Sequence, residues 1–406
     1  MRLSRVSVFS CLFAIVIFSP RAVPQQTDTS SISPTPIAKL PFDLFHNRIY
    51  VPVEVNGHKG FSVIVDTGAA MSGLSELSSQ TLQLQHKGHA QLAGNGSATL
   101  SISFAKDVSF QIGEAALMEK KVAIVPYHDF EASEGRPVAG ILGVDLFRRY
   151  VVVVDYRRRT LALYEPRSFM YQGQGEVVPL EFGKGAIFHA SIYAGGHDPI
   201  IANLSVDSGT YSGLRLYSPF VRKQHLLEMA TPTFDSFGFG LGGEFPEKLG
   251  RVEALAIGPL TLRHPVTSFP EAQHGPTASD SYDGTIGGAI LRRFTVTFDF
   301  SRNQMFLDPD ADFTAPFQTD TSGLVIESQG PGMKIVSIRH VLAQTPAAAA
   351  GIREGDRIVS VNGADAHGLG VEGIQNLLCH SGTYSFQLSR SQQTLEITIN
   401  TNNSLY

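Results

Sequence analysis

Cysteine is scarce in this chain. Its 406 residues hold two, Cys11 and Cys379. Cys11 lies in an N-terminal apolar stretch, and removal of that stretch leaves one thiol and no possibility of an intrachain disulfide, so the core must hold the fold unaided. Charge is thin as well: 17% of residues are charged, the net charge is −5, and no Lys/Arg block occurs. That excludes the basic stripe by which nucleic acid is bound. No apolar run is long enough for a comfortable membrane span. The run from Val6 to Phe18 follows Arg2 and Arg5 and precedes Ser19-Pro20-Arg21-Ala22, the order of a secretory signal peptide. Residues 1–22 are therefore expected to direct export to the periplasm or the exterior, with membrane attachment only if they stay uncleaved. Ligand-spaced His, Cys and carboxylate clusters are missing too. His86-Lys87-Gly88-His89 is the one close pair and reads as a wet loop, so neither a metal nor an organic cofactor is expected. Cys379, at the end of Ile374-Gln375-Asn376-Leu377-Leu378, reads as a small core residue of a helix.

What is present is ordinary globular composition, 43% hydrophobic, in a length that suggests two to three domains. Residues 23–40, rich in Gln, Thr, Ser and Pro, read as a flexible leader. From Phe42 onward short β-branched and aromatic runs alternate with Gly and Asn, as in Ile49 to Val55 before Asn56-Gly57, the pattern of hairpin-rich β structure.

An internal repeat organises the first three quarters. Val63-Ile64-Val65-Asp66-Thr67-Gly68 and Leu204-Ser205-Val206-Asp207-Ser208-Gly209 each end an apolar strand in Asp-Thr/Ser-Gly, 141 positions apart. Further on, Gly143, Arg148, Arg149 and Asp155 recur as Gly287, Arg292, Arg293 and Asp299 at a constant offset of 144. Self-similarity of this kind marks duplication of a whole small domain. The recurring Arg pairs read as solvated ends of elements. A lone Asp-Thr-Gly is an ordinary turn sequence; the repeat context is what makes it informative.

With these motifs the chain resembles the pepsin and retropepsin superfamily of aspartic peptidases over roughly residues 40 to 310. In that family each lobe carries an Asp-Thr/Ser-Gly loop and, later, two apolar residues followed by Gly, here Ile141-Leu142-Gly143 and Thr285-Ile286-Gly287. Thr285 departs mildly from the apolar rule. The resemblance implies a mainly β protein with two pseudo-symmetric, retropepsin-like β-barrel lobes over residues 41–168 and 169–312. It implies catalysis by Asp66 and Asp207 on a shared water, without cofactor, acting on peptide or protein substrates. Thr67 and Ser208 match the hydroxyls that cross between lobes, and Gly68 and Gly209 the turn positions. The residue after the Gly is Ala69 in one lobe and Thr210 in the other. A hydroxyl there that bonds the carboxylate would make Asp207 the more readily ionised and Asp66 the proton holder. The family covers its cleft with a hairpin flap. Candidates are Gly94-Asn95-Gly96, which lacks the Tyr that pepsin-like flaps present, and the Gly-rich stretch with Phe237 and Phe239 poised over a bound peptide.

Two other readings stay open. The peptidase fold could be retained as a non-catalytic peptide-binding scaffold, or each lobe could pair with its counterpart in another chain.

After Asp308-Pro309 the pattern changes. Thr345-Pro346-Ala347-Ala348-Ala349-Ala350-Gly351-Ile352, then Gly355-Asp356 and Asn362-Gly363, resemble the bacterial PDZ signature, implying a PDZ domain over 320–402. The resemblance implies a groove for a peptide or C-terminal ligand, lined by a helix over Val371 to Cys379. The expected carboxylate loop contains Gly330 and Gly332, and the strand to be extended contains Met333 and Ile335. The chain's own Ser404-Leu405-Tyr406 is one candidate ligand.

Overall fold

The computed structural model describes residues 35–401 apart from positions 97, 184 and 231. The expected signal segment 1–22 and the Ser404-Leu405-Tyr406 terminus lie outside the described residues. The leader expected over 23–40 gives way to structure before its end. Ile37 N donates to Leu163 O, and Ala38–Pro41 is a strand paired with Thr160–Tyr164, because Ala38 and Leu40 bury their side chains in the core.

The fold is mainly β. Each repeat unit forms a ten-stranded sheet curled around an apolar interior. Strand Arg48–Val55 turns at Asn56-Gly57 into His58–Val65; both turn residues have positive φ, 49° and 79°, the twist-matched two-residue hairpin that Asn-Gly favours. In the second unit, buried and less buried residues alternate along Ala186–Tyr193, the period of a strand with one face on the core.

A third sheet joins the two units. Its six strands run in the order Ala38–Pro41, Thr160–Tyr164, Val151–Asp155, Phe294–Asp299, Gln304–Pro309 and Glu176–Pro179. At its centre Val153 pairs with Thr297, its own counterpart at the 144-residue offset. The pseudo-twofold axis therefore passes between those strands, and the lobes associate within one chain. Val152, Val154, Val296 and Phe298 are fully buried there, and Phe147 packs edge-on against Phe298 at 5.3 Å. The repeated arginines do not all face solvent. Arg148, Arg149 and Arg292 are exposed, but Arg293 is buried. It lies 3.6 Å from the centre of the Phe317 ring and donates to the carbonyls of Asp312, Phe313 and Ala315, anchoring the segment that leads to the last domain.

That last domain has its own core around Phe386, Leu388 and Ile374, with sheet order Leu324–Gln329, Ile335–Val341, Arg357–Val361, Gly382–Arg390, Gln393–Thr401. A helix, Ala366–Leu378, begins at the Asp365 side-chain cap and covers one face.

Candidate active site

Each Asp loop is positioned by a strand pinned in parallel to a later one. Gly140–Leu142 lies between Val63 to Val65 and Gly73–Ser75, and Asp66 N donates to Leu142 O at 2.9 Å. Gly284–Ile286 does the same in the second lobe, with Asp207 N donating to Ile286 O at 3.0 Å.

The two loops then clasp one another. Thr67 Oγ1 donates to Val206 O (2.8 Å) and accepts from Ser208 N (3.0 Å); Ser208 Oγ donates to Val65 O (2.8 Å) and accepts from Thr67 N (3.0 Å). Both hydroxyls are buried, so none of the four bonds competes with solvent. Gly68 and Gly209 are required by close approach. A Cβ on Gly68 would stand 2.6 Å from Asp207 Cγ, and one on Gly209 would stand 2.2 Å from Asp66 Cγ.

Asp66 and Asp207 are thus brought face to face at the pseudo-twofold axis, each carboxyl against the glycine of the opposite loop. Asp66 Oδ1 accepts from Gly68 N (2.7 Å) and Ala69 N (3.2 Å), and Asp207 Oδ1 from Gly209 N (2.9 Å). Burial and then the charge of Asp207 push the Asp66 carboxyl well above the ordinary range, outweighing the two backbone donors. A pair of this kind holds one proton between two carboxyls. Thr210 is not seen to bond Asp207 as the resemblance implied; its hydroxyl lies 3.4 Å from Ser212 Oγ, and its methyl faces the place where a Cβ on Gly287 would sit.

A buried ion pair that sequence reading missed supports the second loop from the first lobe. Arg48 Nε donates to Gly209 O at 2.7 Å, while Arg48 Nη1 pairs with Glu134 Oε2. Tyr50 donates to Glu134 Oε1 at 2.8 Å, and Asn47 Nδ2 donates to Tyr211 O at 3.0 Å. Arg48 and Glu134 are 3% and 2% exposed. No short motif links positions 48, 134 and 209; only folding brings them together.

Both flap candidates are hairpins. Lys87–Ala93 with Thr99–Ala105 carries Gly94-Asn95-Gly96 at its tip, and Phe234–Gly240 with Gly243–Arg251 is the second. The tips are bonded to each other, Gly96 N to Leu241 O and Ala98 N to Gly242 O, both at 2.9 Å. Phe237 and Phe239 do not lie over the carboxyls. Phe237 stacks on His340 (4.3 Å) and Phe239 lies beneath Arg339 (5.5 Å), because the second hairpin leans on the C-terminal domain. Glu244 of that hairpin accepts from Arg339 Nε at 2.7 Å and lies 2.9 Å from His340 Nε2.

The expected peptide groove of the C-terminal domain is displaced by one strand. Gly330, Gly332 and Met333 form a tight turn with positive φ, and Ile335 opens a strand that is paired on both sides, so it has no free edge. Leu324–Gln329 is the free edge on that side of the sheet. Beside it, helix His128–Glu134 of the first lobe packs against both that strand and the helix Ala366–Leu378. Its left-handed C-terminal Gly135 sits so close that a Cβ would stand 2.9 Å from Val371 Cβ and 3.6 Å from Ser328 Oγ, and His46 N donates to Glu372 Oε1 at 2.6 Å. Cys379, half-buried at the end of the same helix, has its thiol pushed up to about 12 by burial and then by Asp320, which leaves it inert. His86 lies exposed in the loop before the strand Lys87–Ala93, with Ser79 Oγ and Ser103 Oγ at 2.7 and 3.1 Å from its ring nitrogens.

No curated protein sequence matches the chain. Residues 51–146, which contain the first Asp loop, the first hairpin and Ile141-Leu142, match the model of the family described as aspartyl protease. Residues 314–388 match that described as PDZ domain. The first Asp loop thus lies in a domain of aspartyl protease type and the C-terminal domain is of PDZ type, while the second Asp loop lies outside the matched residues.

Proposed function

We propose that this chain is an exported aspartic endopeptidase that hydrolyses peptide bonds with Asp66 and Asp207 as its catalytic pair. The observation that carries the reading is the meeting of these two half-buried carboxyls, each packed against the glycine of the opposite loop and held by a clasp of four cross-lobe bonds. With one proton between them, the ionised member takes a proton from water as its oxygen attacks the substrate carbonyl carbon. The protonated member donates to the carbonyl oxygen. Collapse of the tetrahedral species transfers a proton to the amide nitrogen as the C–N bond breaks, with no covalent enzyme adduct. Substrate entry requires the hairpin tips to part, since Gly96 and Leu241 bridge the cleft. The PDZ domain would recruit a peptide or protein partner, and a peptide terminus entering beside Leu324–Gln329 has to displace the helix now packed there.

The test is digestion of an unfolded protein mixture by the full-length chain, with and without pepstatin. Inhibitable cleavage that is lost in both Asp66→Asn and Asp207→Asn supports the reading. Peptide binding without cleavage in the unsubstituted protein would make the chain a scaffold that keeps the peptidase fold.

A further inference from the structure

The two walls of the cleft differ chemically at matched positions. In the first lobe, hydrogen-bonded register carries one row across four neighbouring strands: Ile64, Ile141, Gly73 and Ala123. The same row in the second lobe reads Ser205, Thr285, Arg215 and Ser268. Ile64 and Ser205 each stand two residues before their Asp, and alternate residues of a strand share a face, so each row starts next to its carboxyl and runs outward across the sheet. The first row continues into an apolar cluster with Tyr127, Phe130 and Val138.

The second row is polar yet buried, with none of its four residues more than 5% exposed. Most of its groups are satisfied internally. Ser205 Oγ and Thr285 Oγ1 are 2.6 Å apart, Thr285 meets Tyr217 Oη at 2.9 Å, and Ser268 donates to Glu247. Arg215 is the exception: among the described residues its Nε and Nη2 are buried with no hydrogen-bond partner. These are the two adjacent donors of one guanidinium edge, the fork that receives a carboxylate through two parallel bonds. A buried donor left without an acceptor is costly, and a charged one more so.

Glu247 is turned to Ser268. Burial raises its carboxyl against the pull of Arg215 and of the Ser268 hydrogen bond, which favours the uncharged form and leaves Arg215 without a full countercharge. Phe245, 5.2 Å from Arg215 Cζ, and Glu247 both belong to the hairpin strand Gly243–Arg251, so lifting that hairpin uncovers the arginine. Tyr211, Glu247 and Ser268, its neighbours, line a cavity of about 990 Å³ between this hairpin, the Tyr211-Ser212-Gly213 segment that follows the second Asp loop, and the C-terminal domain.

We propose that Arg215 is a specificity-determining residue that receives an acidic side chain of the substrate on the second-lobe side of the cleft, while the first-lobe wall takes an apolar one. The inference rests on the peptidase reading for the identity of the bound chain as substrate, and its test keeps the two separate. Arrayed peptide pairs, identical except for Glu or Gln at one position, are offered to the full-length protein for hydrolysis. The same pairs are offered to full-length Asp66→Asn for binding. At one position on one side of the bond, the Glu peptide is expected to give a kcat/KM about tenfold or more above its Gln partner and a comparably tighter Kd, as loss of one forked carboxylate contact implies. Arg215→Met should equalise the pair and Arg215→Lys retain part of the preference.

Equal handling of Glu and Gln at every position by the unsubstituted protein overturns the inference, as does a preference that survives in Arg215→Met. Should Arg215→Met not fold, the Glu-to-Gln ratio of the unsubstituted protein decides alone. Preference in binding without hydrolysis sinks the peptidase reading and keeps this one; hydrolysis without preference does the reverse.

Discussion

Replacing Glu134 by Gln is expected to cost more stability than removing any surface charge of this protein. Glu134 is 2% exposed, its carboxylate pairs with Arg48 and accepts from Tyr50, and Arg48 in turn holds the Gly209 carbonyl of the second Asp loop. Burial would push the Glu134 carboxyl up, but the Arg48 charge, followed by His46 and Tyr50, overcomes it and holds the group below the usual value. The Gln variant keeps the shape and leaves Arg48 as an uncompensated buried charge, a loss of about 3–5 kcal/mol. With a urea slope of about 3 kcal/mol/M, the upper end for small proteins, the midpoint falls by roughly 1–1.7 M.

Two controls separate the ion pair from packing. Arg48→Met with Glu134→Leu should recover a large part of the loss, because paired removal abolishes the stranded charge, and the double-mutant cycle should show strong coupling. The pH dependence gives the second. A carboxyl lowered in the folded state contributes stability that is present above its unfolded value and lost as pH falls through the folded one, so the acid side of the stability curve should flatten in Glu134→Gln. A midpoint shift below about 0.2 M, within the error of such extrapolations, or an unchanged acid limb would refute the reasoning.

Three further outcomes are expected. Ser208→Ala strands the buried Thr67 N–H and Val65 C=O, so it should destabilise by about 2–3 kcal/mol in urea and lower kcat, with Ser208→Thr restoring most of both. Asp66→Asn removes a carboxyl whose folded pKa is raised. The stability of the unsubstituted protein declines as pH rises through that value, so the variant should melt higher by a margin that grows from acid toward alkaline pH. A constant margin in calorimetry would contradict the shared proton. Glu244→Ala removes the contacts of the second hairpin's carboxylate with Arg339 and His340 while the ring contacts of Phe237 and Phe239 remain, and hydrogen exchange across Phe234–Gly240 and Gly243–Arg251 should quicken about tenfold, as the loss of two screened, charge-assisted contacts implies. Unchanged exchange there would mean that the PDZ domain does not restrain the lid.

The candidate site was legible where the chemistry is local and repeated. Asp66-Thr67-Gly68 and Asp207-Ser208-Gly209 announce themselves because each loop needs a turn, a small residue and a hydroxyl in succession, and the duplication places two such loops in one chain. Asn56-Gly57 and Gly351 to Gly363 were readable for the same reason: their backbone angles restrict the residues that fit. Thr210 was misleading because a hydroxyl three residues after an Asp need not bond that carboxyl; here it meets Ser212 instead. Phe237 and Phe239 were misleading because an aromatic residue in a hairpin packs against whichever surface the fold supplies, here Arg339 and His340 rather than the cleft. The PDZ groove was misplaced because strand order is a long-range property. The turn at Gly330 marks a hairpin, but which of its two strands stays unpaired depends on where Arg357–Val361 joins the sheet.

The sequence by itself determined the duplicated lobes, the carboxyl pair with its supporting glycines and hydroxyls, and the change to a PDZ pattern after Asp308-Pro309. Each of these is written in neighbouring residues whose backbone angles or hydrogen-bonding groups admit few alternatives. Only the tertiary structure decided that Arg48 reaches from one lobe into the Asp loop of the other, that a first-lobe helix lies beside the PDZ edge strand, and that Arg215 is buried in the second lobe with two donors unpartnered. Those contacts join positions far apart in the chain, and their energies come from burial and pairing that exist only once the sheets have closed.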